Sequence, residues 1–150
     1  MMKSLLAGIL AAFAALILEL IVSVLPEYGF GSPETFITAT GFTPILLLVF
    51  ATIEESSKTV FLWKIIPIIR DSSPFLVRTA LFAAGFGTTE ILIALSSRPD
   101  LTILPAVGIF SVHITTVFLY AATLEKFPRW LPASVFFGIL FHFLYNMILA

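Results

Sequence analysis

Five apolar stretches run through this chain, separated by short polar turns: Leu5–Leu25, Thr43–Ile66, Pro74–Leu95, Ile103–Leu124, and Pro132 to the C-terminus. Each is near the ~20 residues a helix needs to cross a bilayer. In hydrocarbon a backbone must satisfy its own N–H and C=O groups, and a helix does so within one segment. The pattern predicts an all-α fold, a polytopic membrane helical bundle of about five transmembrane helices. Composition agrees. Hydrophobic residues make up 59% of the 150 and charged residues 11%, more apolar surface than a soluble domain can hide. The bilayer is the expected partner, and a multi-pass position in the cell membrane the expected location. A net charge of -1 gives no electrostatic footprint for nucleic acid. With no cysteine, disulfides and thiolate ligands are excluded.

The first apolar run is about twice the 7–15 residues of a signal-peptide core, and no A-x-A-like site follows it. It reads as a retained helix. Glu19 is its only charge; it is expected to snorkel toward the interface or bond a neighbouring helix. Pro26 to Thr40 reads as a loop. Pro67 is expected to close the second helix, with a turn over Arg70–Pro74 in which Ser73 caps the third. Ser96–Asp100 is a further turn, and Glu125–Trp130 a charged connector. Lys64, Arg70 and Arg78 flank one connector, Lys126 and Arg129 another, and Lys3 precedes the first helix. The first loop carries no Lys or Arg, and the third only Arg98. The positive-inside rule then places the N-terminus in the cytoplasm.

The second apolar run contains Thr52-Ile-Glu-Glu-Ser-Ser-Lys58. Glu54 lies roughly 16 Å from Thr43, near the middle of a ~30 Å core. Ionisable groups at that depth are costly and usually mark function. Lys58 is i+4 from Glu54 and i+3 from Glu55, so it reaches either carboxylate. The remaining helices each add a titratable group: Glu90 on the third, His113 on the fourth, and His142 on the fifth, one turn from Asn146 on the same face. Gly85 and Gly87 precede Glu90 and permit close helix approach. Singly, each group has a structural reading. Glu55–Lys58 can be a packing pair, His113 a core histidine bonded to Thr116 or Tyr120, and Asn146 a helix–helix hydrogen bond. Jointly they supply the parts for peptide hydrolysis. A carboxylate in a low-dielectric site can take a proton from water near neutral pH. Glu54 or Glu55 would be that base. Glu90 or His113 would orient the water, and His142 with Asn146 would donate to the oxyanion. No cofactor is required, although two histidines and several glutamates make zinc possible.

These residues resemble a known family. Glu54-Glu55-Ser-Ser-Lys58 is similar to the EExxK motif of PrsW-type intramembrane proteases, and Phe86-Gly-Thr-Thr-Glu90 to their FxxxE motif. His142-Phe-Leu-Tyr-Asn146 resembles the HxxxN motif of the wider CAAX-protease (CPBP) superfamily, with His113 on the helix between. The motifs fall in order, one per successive helix. The resemblance implies a hydrolase that carries out intramembrane proteolysis of a membrane-anchored protein substrate. In it Glu54 would activate the water, with Glu55 and Lys58 as its supporting pair. Glu90 would help hold that water, and His142 and Asn146 would stabilise the oxyanion, all in the outer half of the membrane. Glu90 stands where the CAAX enzymes have histidine, so their prenylated substrates do not carry over. Residues 1–150 are then expected to form a single membrane domain, with a first transmembrane helix and outer loop (1–42) before a four-helix catalytic core (43–150). The competing reading is a non-enzymatic membrane scaffold or immunity-type protein, or a zinc-dependent intramembrane protease.

Overall fold

The computed structural model describes residues 1–24, 37–38, 41–70, 75–97 and 102–149. Its long elements are all helices: α1 (Met2–Val24), α2 (Pro44–Arg70), α3 (Phe75–Ser97), α4 (Ile103–Lys126) and α5 (Leu131–Leu149). A two-residue antiparallel ladder, β1 (Ile37–Thr38) on β2 (Gly41–Phe42), precedes α2. The remainder of the loop expected over Pro26–Thr40, the Ser73 cap and the Arg98–Asp100 part of the third turn lie outside the described residues.

Pro67 does not close α2, which continues to Arg70. Proline removes one i→i−4 hydrogen bond. So close to a C-terminus, few intrahelical bonds remain to be lost beyond it. The end of α4 has a local cause. Phe127 precedes Pro128, which disfavours helical backbone, and it sits at φ -140°, ψ 55°. Its N–H still donates to the Thr123 carbonyl at 2.8 Å. Pro128–Trp130 then forms a single 3-10 turn that leads into α5.

The helices pack as a ring. α1 lies against α3, α3 against α4, α4 against α5, α5 against α2, and α2 against α1, while α2 also reaches across to α4. Side-chain size is sorted in the sense that suits lipid. The inward face of α1 is Ser4, Ala7, Gly8, Ala11, Ala12 and Ala15, small residues at helical spacing that let backbones approach. Its outward face carries Leu6, Leu10, Phe13 and Ile17. The α1–α3 crossing is tight on both sides. A Cβ on Gly8 would strike the Phe82 carbonyl, and one on Gly85 the Leu5 carbonyl. Phe82, Phe86, Leu62 and Val117 complete the buried apolar core.

Among the described residues, four helical segments are long and apolar enough to cross a membrane: Met2–Val24, Phe75–Ser97, Ile103–Lys126 and Pro128–Ile148. α2 has the length, but Glu54, Glu55 and Lys58 interrupt its apolar run. The result is an all-α bundle of the kind a polytopic membrane protein forms. Its most polar helix contacts α1, α4 and α5, while large apolar side chains such as Leu104, Phe136 and Phe137 point outward.

Candidate catalytic or metal site

Successive residues on a helix are about 100° apart around its axis, so Glu54 and Glu55 face different neighbours. Glu55 and Lys58 are both fully buried. Lys58 Nζ lies 2.5 Å from Glu55 Oε1. It also donates to Thr116 Oγ1 at 3.4 Å and sits 4.8 Å from the centre of the Phe86 ring. The Tyr120 hydroxyl donates to Glu55 Oε2 at 2.7 Å. It reaches that far because residue 138 is glycine, since a Cβ there would overlap the hydroxyl. Finally, His142 Nδ1 is 2.7 Å from Glu55 Oε1. An oxygen paired with an ammonium acts as an acceptor, so the His142 Nδ1–H donates to it. In the neutral ring Nε2 then carries a bare lone pair.

That Nε2 faces Glu54 Oε2 at 3.4 Å. Glu54 is 8% exposed, and its Oε2 is buried without a hydrogen bond. From α3, Glu90 brings Oε2 directly against His113 Nε2, and neither atom has another hydrogen-bond partner among the described residues. The buried His113 Nδ1 is likewise without one. The His113 ring is fixed edge-on to His142, with centroids 5.2 Å apart, and leans on Phe86 at 4.9 Å.

The structure therefore gathers Glu54, Glu90, His113 and His142, one from each of α2 to α5, with a ligand atom from each within 4.8 Å of the others. This buried pair of glutamates and pair of histidines is a candidate catalytic or metal centre. The donor set can hold a divalent ion such as zinc. Zn–N and Zn–O bonds are about 2.0–2.2 Å, so ligands on one tetrahedral ion stand about 3.3–3.6 Å apart. To hold an ion the more distant donors would draw in and the Glu90–His113 contact would open. Two further observations fit a cation: several donor atoms have no hydrogen-bond partner, and His142 offers Nε2 while its Nδ1–H is held by a carboxylate, a common support for a ligating histidine.

Of the other residues singled out from sequence, Glu55 stands behind the group as the anchor of His142. Asn146 is half-buried, one turn beyond His142. The expected bond from His113 to Thr116 or Tyr120 is not formed by its ring. Tyr120 bonds Glu55 instead, and the Thr116 hydroxyl donates to the His113 backbone carbonyl at 3.4 Å. Sequence reasoning misses Tyr120 as a member of the site. Its spacing of i+7 from His113 and i+4 from Thr116 places it on their face. Sequence reasoning also undervalues Glu19. It lines a cavity of about 490 Å³ between α1, α2 and α3, together with Glu54 and Glu90.

No known family model, curated protein or solved structure matches this chain. Its function is therefore argued from the site.

Proposed function

We propose that this protein is an intramembrane endopeptidase of the PrsW type, hydrolysing peptide bonds of membrane-anchored proteins with water activated by Glu54. In this reading all five helices span the bilayer from a cytoplasmic N-terminus. They form one membrane domain, in which α2 to α5 are the catalytic core and the site lies in the outer half. One observation carries it. Glu54 lines a cavity, and its buried Oε2, without a hydrogen bond, lies opposite His142 and beside Glu90 and His113. Its neighbour Glu55 is saturated by Lys58, Tyr120 and His142.

Glu54 takes a proton from a water that Glu90 and His113 orient, and the oxygen attacks the substrate carbonyl carbon. The carbonyl π electrons move to oxygen. The oxyanion is met by Asn146 and by His142, whose Nε2 donates only when the ring is protonated. As the tetrahedral species collapses, the C–N bond breaks and Glu54 passes its proton to the leaving amine.

The bare Nε2 of neutral His142 and the compact donor set favour zinc as a second reading. Glu54, Glu90, His113 and His142 would hold the ion, which when bound would polarise the substrate carbonyl and acidify water.

The test is mass spectrometry of peptides after incubating purified protein in detergent with single-span membrane proteins, beside Glu54→Gln, with and without chelator. New termini with wild type alone establish the peptidase, and their loss on chelation assigns the metal reading. Identical peptides from wild type and a well-folded Glu54→Gln would support the non-enzymatic scaffold.

A further inference from the structure

The cavity that exposes Glu54 is walled on one side by α1, which contributes nothing to the Glu54–Glu90–His113–His142 group. Its lining runs from Ala12 and Phe86 at depth to Ser23 and Ser97, at or next to the last residues of α1 and α3. It therefore leads from the reactive group to one end of the bundle. Most of the wall is apolar, including Leu16, Leu20 and Ile93. Among the described residues its charged members are Glu19, Glu54 and Glu90, all of one sign. Lys58 is already held by Glu55. Glu19 Oε1 is buried without a hydrogen-bond partner, and so is Glu54 Oε2 on a residue only 8% exposed.

An apolar channel with a carboxyl partway along it, one of whose oxygens is buried without a hydrogen bond, suits a long aliphatic stem that ends in a cation. Lysine and arginine are built that way, laying their methylenes along apolar surface. An incoming cation would supply the counter-charge that lets a carboxyl ionise there, and would gain a charge-assisted hydrogen bond in low dielectric. We infer that Glu19 is a specificity residue that docks a basic side chain, lysine or arginine, of the membrane segment on which the site acts. Cleavage of the docked segment rests on the peptidase reading, whereas the docking itself stands on the cavity.

The experiment is a fluorescence-anisotropy titration in detergent of three labelled single-span Leu/Ala peptides, alike except for one Lys, Gln or Glu near the outer end. Each is titrated with wild type, Glu19→Gln and Glu19→Lys. Wild type should bind the Lys peptide about tenfold more tightly than the Gln peptide, a difference of about 1.4 kcal/mol. Glu19→Gln should remove most of that preference, and Glu19→Lys should transfer it to the Glu peptide. Equal binding of the Lys and Gln peptides to wild type would overturn the inference. So would a lysine preference undiminished in both variants. The same mixtures are read for cleavage by mass spectrometry. A lysine preference without cleavage would uphold docking and count against the peptidase, whereas cleavage indifferent to the basic residue would do the reverse.

Discussion

Glu54 and Glu55 are joined by one peptide bond and have opposite surroundings. Glu55 is fully buried and accepts from Lys58, Tyr120 and His142. Glu54 keeps a buried oxygen without a hydrogen bond and borders the cavity. From sequence Lys58 reaches both; in the fold it goes to Glu55, which leaves Glu54 without an ammonium partner. Glu54→Gln should therefore lower cleavage by about 10²–10⁴-fold, the usual contribution of a general base. Its unfolding midpoint in detergent should stay near that of wild type. A variant that unfolds instead would make Glu54 a packing residue.

Lys58→Met should destabilise the protein by about 3–5 kcal/mol, because it strands the Glu55 charge in the interior. Adding Glu55→Gln should recover part of the loss by removing that charge. Thermal unfolding of the two variants measures the difference. Equal midpoints would mean that the ion pair does not hold Glu55.

Gly138→Ala should cost about 1–3 kcal/mol by pushing the Tyr120 hydroxyl off Glu55. Combined with Tyr120→Phe, which removes the colliding oxygen, the further cost of the alanine should be smaller. A double-mutant cycle on unfolding free energies tests this, and strict additivity would argue against the contact.

Gly85→Ala and Gly87→Ala should differ. At Gly85 the new methyl meets the Leu5 backbone, which cannot yield without moving α1. At Gly87 it meets the edge of the Phe110 ring at 3.0 Å, a side chain that can give way. The first should lower the unfolding midpoint clearly and the second only slightly.

Micromolar zinc should inhibit a metal-independent enzyme, because the ion would occupy Glu54, Glu90, His113 and His142 and displace the catalytic water. Chelator should leave the basal rate unchanged. Activity lost on chelation and restored by zinc would instead select the metal-assisted reading.

The helices were legible because each apolar run is long and ends at turn residues. The convergence of Glu54, Glu90, His113 and His142 was legible because ionisable groups stand out in apolar segments. Three features were not. Pro67 reads as a stop, yet a proline so near a helix end can be absorbed. Tyr120 looks like an ordinary apolar-helix aromatic, and only its pairing with Gly138 on another helix reveals its reach. Glu19 reads as either an interfacial residue or one bonded to a neighbouring helix, and only the packing of α1 on α3 shows that it shares a cavity with Glu54 and Glu90. The last two depend on contacts between helices, which local pattern does not carry.

The Glu55–Lys58 pair lies within one turn of a single helix, so it can form as soon as α2 coils, before any partner arrives. Glu54 has no such companion on its own segment and waits for His142 on α5, which is synthesised after α2. The Glu/His group is thus incomplete until α5 has been made. A chain still emerging from the ribosome has its charge-paired helix well before Glu54, Glu90, His113 and His142 can meet.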